Sequence, residues 1–342
     1  MTRRDLLKVA TAFALQSGFG GSVARAQMAK SLTLVIGSGE GVGAIDLCAR
    51  ALGVVLPKYL SGLSKVVPSQ MPGAGGMTAL NYLENIAASD GLTWAFPPRS
   101  VVLAPYLYPE QAKFDPRKLH WIGSPTDSPT VGVVFADHTQ ARDLTYAARD
   151  SLIVGATSPN QDNHFLPRAL NQYFGTRFKV IGGYRSPADI ELALERGEIQ
   201  GLIGTSWAAL QTGRSAQWLK EGKLIPIAQF GEKRHAQLPD LPTYAEQLGG
   251  QAEARQLITF LLSANMMGYP ACVGSRTPAS LVADYRRAFQ DTIRDEQYVS
   301  LTKAIGTDRQ PITGEELQNI VEKIYAIPEQ VVQRAQALVN AS

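Results

Sequence analysis

The sequence is poor in the residues that most often carry catalysis or metal binding. It has two cysteines and four histidines in 342 residues. It contains neither a Gly-x-Ser-x-Gly nucleophile elbow nor a His-Glu-x-x-His zinc motif, and its cysteines are too far apart for a zinc ribbon. We therefore predict no catalytic residue, no cofactor and no metal. Cys48 and Cys272 are too few for a disulfide framework, but a single bridge between them stays an alternative to two buried thiols.

Charge is scarce beyond the first residues. The chain has a net charge of +3, and the first 26 residues alone carry +3, from Arg3, Arg4, Lys8 and Arg25 against Asp5. The rest of the chain is therefore formally neutral. It lacks a basic cluster for the many phosphate contacts that nucleic-acid binding requires, and we exclude nucleic acid as a partner.

The first 26 residues have the pattern of an export signal. Arg3 and Arg4 precede a mildly apolar run, and residues 24–26 read Ala-Arg-Ala, the small-x-small form that signal peptidase cleaves. Paired arginines before a weak apolar run are typical of twin-arginine export. That run is too short to span a bilayer, and no later run is long enough. We predict a signal peptide at 1–26 and a periplasmic protein. The alternative is a buried helix at the start of a cytoplasmic domain.

Strand and helix patterns alternate along the rest of the chain. A β-rich run at 31–36 is followed by apolar residues at helical spacing, a second strand at 65–67, another helix and a third strand at 92–96. The alternation repeats between 131 and 203. This order predicts an α/β fold with mostly parallel sheets and a ligand crevice beyond the carboxyl ends of the strands. Since no linker is visible, we expect the chain to cross between two lobes twice.

Glycine-rich turns follow several of these strands. The turns at 39–43, 73–76 and 158–163 each precede a helical pattern. Backbone N–H groups and the helix dipole at such a place bind a carboxylate as readily as a phosphate. Together the three turns predict a site for a ligand with more than one acidic oxygen, although each is also compatible with a plain tight turn.

The first of these turns also fits a dinucleotide pattern. Gly39, Gly41 and Ala44 satisfy Gly-x-Gly-x-x-Ala after a strand. The next strand ends near 66–70 without the acidic residue that would hold a ribose, which argues against a nicotinamide cofactor. A nucleotide-dependent oxidoreductase remains the alternative function.

Two polar side chains are candidates for direct ligand contact. Arg99 follows the third strand, where its guanidinium can bind both oxygens of a carboxylate, although a surface arginine is equally compatible. His164 is the histidine that falls in a ligand-facing loop. A hydrolase using it as general base would need a nucleophile that we cannot identify, and a helix cap is the plainer interpretation.

Three segments carry a family resemblance. Residues 41–50 read Gly-Val-Gly-Ala-Ile-Asp-Leu-Cys-Ala-Arg, residues 71–76 read Met-Pro-Gly-Ala-Gly-Gly, and residues 238–246 read Leu-Pro-Asp-Leu-Pro-Thr-Tyr-Ala-Glu. They are similar to the Pro-Gly-Gly-x-x-Asp-x-x-Ala-Arg, Arg-Pro-Gly-Ala-Gly-Gly and Leu-Pro-Asp-Val-Pro-Thr-x-x-Glu segments of the tripartite tricarboxylate transporter receptors, the Bug-type solute-binding proteins. Shorter similarities extend over nearly the whole chain after residue 26.

The resemblance implies a two-lobed periplasmic binding protein of the type II kind, each lobe a sheet flanked by helices. We place lobe one at 27–125 and 236–342 and lobe two at 126–235. The family implies a receptor without enzymatic activity, here expected as a monomer. It would bind a small organic carboxylate between the lobes, mainly through backbone amides, and deliver it to integral membrane transporter subunits. A receptor for a membrane sensor is the alternative to uptake.

The resemblance and the turns together predict the ligand-binding residues. These are Ser38, Gly39, Gly41, Gly43, Ala74, Gly75, Gly76, Arg99, Ser158, Asn160, Asn163, His164, Tyr184, Ser186, Thr205 and Ser206. The chain departs from the family pattern at three places. Val42 replaces a glycine, Glu40 places a carboxylate beside the anion site, and the usual glycine- and serine-rich loop of lobe two reads Thr-Ser-Pro-Asn-Gln-Asp-Asn-His at 157–164. These departures leave the identity of the ligand open.

Overall fold

The computed structural model describes residues 30–39, 44–159, 161–231, 233–250, 252–305 and 310–340. Glu40, Gly41, Gly43 and Asn160 lie outside the described residues, as does the predicted signal peptide. Within the described ranges, no helix combines the length and the apolar composition needed to cross a membrane.

The described chain forms two separate sheets. The strands in chain order are β1 (Lys30–Ile36), β2 (Leu63–Gln70), β3 (Thr93–Phe96), β4 (His120–Ser124), β5 (Thr130–Phe135), β6 (Leu152–Gly155), β7 (Phe178–Ile181), β8 (Gly201–Ser206), β9 (Leu224–Gln229), β10 (Ala271–Val273) and β11 (Ile312–Thr313). The first sheet has the order β11-β4-β10-β3-β1-β2, and the second has the order β7-β6-β8-β5-β9.

Helices connect the strands and cover the sheets. They are α1 (Ala44–Val55), α2 (Met77–Asn85), α3 (Ala104–Leu107), α4 (Leu144–Arg149), α5 (Asp162–Phe174), α6 (Pro187–Glu195), α7 (Trp207–Leu210), α8 (Gly213–Lys220), α9 (Tyr244–Leu248), α10 (Ala252–Leu262), α11 (Ala279–Arg294), α12 (Glu296–Leu301), α13 (Gly314–Tyr325) and α14 (Glu329–Asn340). Short 3-10 turns occupy Leu56–Lys58, Ala74–Gly76, Arg99–Leu103, Ser263–Met267 and Lys303–Ile305.

Both sheets are mixed, with fewer parallel pairs than the sequence pattern suggests. β1 is parallel to β2 and β3, and β6 is parallel to β7 and β8. β10 is antiparallel to both its neighbours, and so is β5. These two strands are the first that the chain forms after it passes from one sheet to the other, so no βαβ connection joins either of them to a neighbouring strand of its own sheet. The predicted α/β architecture with two lobes is confirmed.

The chain passes between the sheets twice. It leaves the first sheet after β4, builds β5 to β9, and returns at β10. α9 packs against α4, and Thr243 forms a bridge with Gln229 of β9, so residues 243–248 lie against the second sheet. The lobe boundary that we place at 235 stays a prediction.

Buried apolar side chains join the two lobes as well as filling each one. α10 packs against both α5 and α14, and a single apolar cluster includes Trp121 of the first sheet, Val134 of the second sheet and Phe260 of α10. Because apolar burial is the main favourable term in folding, this shared cluster fixes where the strand ends of the two sheets face each other.

Glycine is required where β8 meets the start of α5. Gly204 has a φ of +92°, and a Cβ there would lie 2.7 Å from the backbone carbon and oxygen of Asp162. We expect Gly204→Ala to lower the melting temperature. A left-handed conformation costs about 1–2 kcal/mol for a residue with a Cβ, and the first turn of α5 would also have to move. Thermal melting followed by circular dichroism measures the change.

Gly53→Ala is the matched control for that substitution. Gly53 lies inside α1, where a Cβ would meet Val66 at an ordinary 3.5 Å. Alanine is favoured over glycine in a helix interior by about 1 kcal/mol, so this variant should melt at or above the wild-type temperature. If Gly204→Ala melted as high as the control, the steric requirement at β8 would be wrong.

Candidate functional site

A cavity of about 280 Å³ lies between the two lobes. Its walls are the turns that follow β1, β2 and β3 in one lobe and β6, β7 and β8 in the other. The crevice therefore lies beyond the carboxyl ends of parallel strands in both sheets, where the alternating pattern predicts it. We call this cavity the cleft.

The cleft brings together about half of the residues predicted to bind the ligand. Those that line it are Ser38, Gly39, Gly75, Arg99, Ser158, Asn163, Thr205 and Ser206. Ala74, Gly76, His164, Tyr184 and Ser186 lie next to lining residues but not on the cleft wall. Their part in binding stays a prediction, like that of the residues inside the cleft.

The predicted residues outside the wall have contacts of their own. The Ser186 hydroxyl accepts a hydrogen bond of 3.2 Å from the Asp189 amide and so caps α6. Burial, with the nearby charge of Arg168, lowers the pKa of His164. Burial raises the pKa of Tyr184, which packs against the apolar cluster of the second lobe. These three side chains therefore lie in the second lobe next to residues that line the cleft.

The turn at 73–76 has an unusual backbone. Gly73, Ala74, Gly75 and Gly76 have φ values of 130°, 45°, 61° and 97°, and Ala74 is the non-glycine residue with positive φ in the described part of the chain. The run of positive φ values bends the chain sharply between β2 and α2, and the Gly76 N–H donates to the Gly73 carbonyl at 3.0 Å within the turn. At Gly76 a Cβ would lie 2.8 Å from the Pro98 ring, so this turn packs closely against the turn after β3.

Arg99 bonds mainly to residues 128–130, where the chain passes from the first sheet to the second, and less to the open cleft. Its side chain is buried, with the residue 9% exposed. Nη1 donates to the Ser128 carbonyl at 3.0 Å, and Nη2 donates to Thr130 Oγ1 at 2.7 Å. Nη2 also lies 3.7 Å from an oxygen of Asp162. The guanidinium therefore ties lobe one to the start of β5 and to α5, which leaves it fewer donors for a ligand than the sequence suggests.

Asp162 is a cleft residue that the sequence analysis did not single out. It is 7% exposed, and its Oδ1 has no hydrogen-bond partner. Burial raises the pKa of this carboxyl, while the charge of Arg99 and the side chain of Asn265 act in the opposite direction. The available signal was the departure from the family pattern at 157–164, but nothing in the sequence shows that this aspartate is buried.

A chain of hydroxyl groups links the lobes beside Arg99. Ser206 Oγ lies 2.9 Å from Ser128 Oγ and 2.5 Å from the Tyr269 hydroxyl. Burial raises the pKa of Tyr269 to about 12, so its hydroxyl is neutral at ordinary pH and can donate. The sequence analysis missed Tyr269, which lies in an apolar stretch without a motif. Ser206, predicted as a ligand residue, has much of its hydrogen-bonding capacity used by this chain.

Asp46 and Arg185 also line the cleft. The two oxygens of Asp46 accept hydrogen bonds from Gln70 Nε2 at 2.6 Å and from Arg50 Nε at 2.8 Å, which joins the start of α1 to the end of β2. Arg185 is exposed and forms no hydrogen bond or ion pair with any described residue. Among the described residues, it is therefore the cleft cation whose donors have no partner.

The chemically reactive side chains of the described residues are dispersed. In the part of the chain that the structure describes, no three histidine, cysteine or acidic side chains come close enough to hold a metal ion. The hydrogen bond that supports the His164 ring involves the Pro159 backbone, not a hydroxyl or thiol. Both described cysteines are buried and free. What the cleft offers is a set of polar groups around a small volume.

The raised pKa of Asp162 has a testable consequence for stability. A carboxyl whose pKa is raised by folding destabilises the folded state once pH rises through that pKa, because folding then buries a charge. We expect Asp162→Asn to melt above wild type at neutral pH. This difference should shrink as pH falls to about 3, where an aspartic acid is largely neutral in the unfolded chain as well. Melting curves across this pH range measure it.

Asp189→Asn is the control for this experiment, since Asp189 is in the first turn of α6, as Asp162 is in the first turn of α5. It lies outside the cleft and should not gain stability in this way. A gain for Asp162→Asn that is independent of pH would show that burial of the charge is not its cause.

Comparisons with known proteins agree with this geometry. Residues 49–334 match the tripartite tricarboxylate transporter family receptor. A curated relative from Cupriavidus necator, the UPF0065 protein in gbd 5'region, is 28% identical over 224 residues. That alignment covers 64% of this chain and 64% of the relative, which is less than two thirds of the relative's length.

Solved structures show the same fold at low identity. The periplasmic binding protein BugD is 19% identical with a TM-score of 0.68, over 90% of this chain and 97% of BugD. MatC from Rhodopseudomonas palustris with bound malate is 18% identical with a TM-score of 0.66, over 91% of this chain and 99% of MatC. Since the family match covers most of the chain and confirms the resemblance of its motifs, the chain belongs to the tripartite tricarboxylate transporter receptor family.

Proposed function

We propose that this protein is a periplasmic receptor that binds a small organic carboxylate in the cleft and delivers it to a tripartite tricarboxylate-type membrane transporter. The observation that carries the proposal is that strand-end turns from both lobes meet around one cavity of about 280 Å³. Family membership supports it, and the malate bound to MatC is a ligand of the proposed class.

The polar groups around the cleft suit an anion. The turn at 73–76 contributes its backbone, and α5 and α6 begin at the opposite wall. Helix N-termini carry partial positive charge, equivalent to roughly half an elementary charge at the end of a helix. Arg185 adds a full positive charge with free donors. A carboxylate held between these groups would have partners in both lobes.

Contacts across the cleft couple binding to closure. Gln161 Nε2 of lobe two donates to the Gly75 carbonyl of lobe one at 3.4 Å, and Arg99 faces Asp162 beneath it. A ligand that contacts both walls stabilises the arrangement in which these contacts form, as in hinge closure of binding proteins.

The proposal includes export of the protein to the periplasm and a role in binding without catalysis. The leader at 1–26 directs the chain to the periplasm, where a receptor for uptake meets its ligand. The oxidoreductase alternative has little support, because Gln70 at the end of β2 donates to Asp46 where a nicotinamide site would need a carboxylate for the ribose. A receptor that signals through a membrane sensor would use the same cleft.

Thermal melting with a panel of mono-, di- and tricarboxylates tests the proposal. A ligand that binds only the folded state at 100 times its Kd adds about 2.7 kcal/mol, which raises the melting temperature by several degrees. We expect at least one acid in the panel to do so, and nicotinamide nucleotides not to. If no acid raised the melting temperature, or if only the nucleotides did, the receptor function would be refuted.

Arg185 gives a sharper test of how the ligand is held. We expect Arg185→Gln to weaken binding of the carboxylate about tenfold, since a hydrogen bond to a charged group contributes about 1.5–3 kcal/mol. The melting temperature of the free protein should not change, because the side chain is exposed and unpaired. Isothermal titration calorimetry measures the affinity.

Arg196→Gln is the matched control. Arg196 is an exposed arginine at the other end of α6, 3.7 Å from Glu198, and it does not line the cleft. Its variant should bind the carboxylate with the wild-type affinity. Equal affinities for the Arg185 variant and wild type would remove Arg185 from the site.

A further inference from the structure

The most unusual group in the cleft of this anion receptor is a buried carboxylate. Asp162 lines the cleft, is more than nine-tenths buried, and has one oxygen without a hydrogen-bond partner. A buried polar atom without a partner costs about 1–3 kcal/mol, and more if it is charged. A donor supplied by a ligand would remove this cost.

Arg99 does not fully satisfy Asp162. The nearest approach of the two side chains is 3.7 Å, beyond hydrogen-bonding distance, while Arg99 directs its shorter bonds to Ser128 and Thr130. The raised pKa of Asp162 shows that burial outweighs this attraction. Arg99 therefore orients the carboxylate without completing its hydrogen bonds, and a further donor would be stabilising.

Oδ2 of Asp162 is the oxygen near Arg99, and Oδ1 is enclosed by protein. The torsion that rotates an aspartate carboxyl group is broad and nearly two-fold, so rotation would turn Oδ1 toward a donor in the cleft. The neighbouring Gln161 side chain already donates across the cleft to Gly75. The Asn265 side chain also acts on Asp162, and its Nδ2 has no other partner, so a group placed in the cavity would be a donor in addition to this amide.

The charged side chains that line the cleft differ in how well they are paired. The described residues that line the cleft include three acids, Asp46, Asp162 and Glu191, and two arginines, Arg99 and Arg185. Asp46 is paired with Arg50 and Gln70, and Glu191 accepts hydrogen bonds from the amide and hydroxyl of Ser215. Asp162 is the acid whose charge is incompletely balanced. This carboxylate would repel a purely anionic ligand, whereas a ligand with its own cation would compensate its charge.

We propose, on the basis of the receptor function proposed above, that Asp162 is a specificity-determining residue that binds an ammonium group beside the ligand carboxylate, so that the receptor prefers an amino acid to the unsubstituted acid of the same skeleton. The ammonium donates to Asp162, while the carboxylate binds Arg185 and the backbone of the turn at 73–76. Arg99 is a positioning residue that holds Asp162 at the cleft wall.

Matched ligands test the proposal without depending on any variant. The probes are three series that differ only in an amino group, a hydroxyl group or hydrogen: alanine, lactate and propionate; aspartate, malate and succinate; glutamate, 2-hydroxyglutarate and glutarate. We expect the amino member of at least one series to bind at least about tenfold more tightly than its unsubstituted partner, a ratio of about 1.4 kcal/mol. Isothermal titration calorimetry at neutral pH measures each Kd.

The variant Asp162→Asn then assigns the preference to this residue. It should reduce the amino-to-unsubstituted ratio to about twofold or less, mainly by weakening the amino member. Asp189→Asn removes the corresponding first-turn charge of α6 outside the cleft and should keep the wild-type ratio, which separates recognition from a general effect on helix dipoles. The melting temperature of each variant shows whether it is folded.

Four outcomes would overturn the inference. They are binding of the unsubstituted acid as tightly as the amino acid, tightest binding of the hydroxy acid, equal weakening of all members by Asp162→Asn, and no binding by any of the nine probes. The receptor function itself would fail only if the wider carboxylate panel also produced no thermal shift, so the two failures are distinguishable.

Discussion

The buried guanidinium of Arg99 is the interaction on which the arrangement of the cleft depends. A charge inside a protein is stable only when its donors have partners, and those of Arg99 are met by the Ser128 carbonyl, Thr130 and the carbonyl of Asn265. These partners lie where the chain crosses between lobes. Because the charge of Arg99 needs these partners, it holds in place the segment where the chain crosses between lobes and the start of β5. It also orients the Asp162 side chain.

The two crossings explain why the site is assembled from strand ends. Each lobe contains a parallel core, β1 with β2 and β3 or β6 with β7 and β8, and the turns after those strands face the partner lobe. The antiparallel strands β5 and β10 are the first strands after the two crossings, and none of their residues lines the cleft. The turns therefore stay open to a ligand, while the shared apolar cluster around α10 holds the lobes together.

Local pattern predicted the elements and most of the turns but not the contacts between them. The strands near 31–36 and 131–135 and the turn at 73–76 carry their signals in neighbouring residues, so periodicity and glycine spacing reveal them. The partners of Arg99 are 29 to 166 positions away, and no local signal encodes such distances. For the same reason the sequence does not reveal that Ser206, which lines the cleft, bonds to Tyr269, or that Asp162 is buried.

A buried carboxylate in the cleft would affect specificity in two ways. It would repel ligands that carry only negative charge and attract ligands that also carry a cation. Specificity is a difference between affinities, and an unbalanced charge that repels the wrong ligand contributes to it as much as a contact with the right one. Backbone N–H groups and Arg185 would accept any carboxylate of suitable size, so they distinguish poorly among acids. Asp162, held 3.7 Å from Arg99 at the wall, adds the unfavourable term that such a site otherwise lacks. If Asp162 has the proposed role, it would lower the stability of the ligand-free protein and raise its selectivity, because the ligand would supply the missing donor.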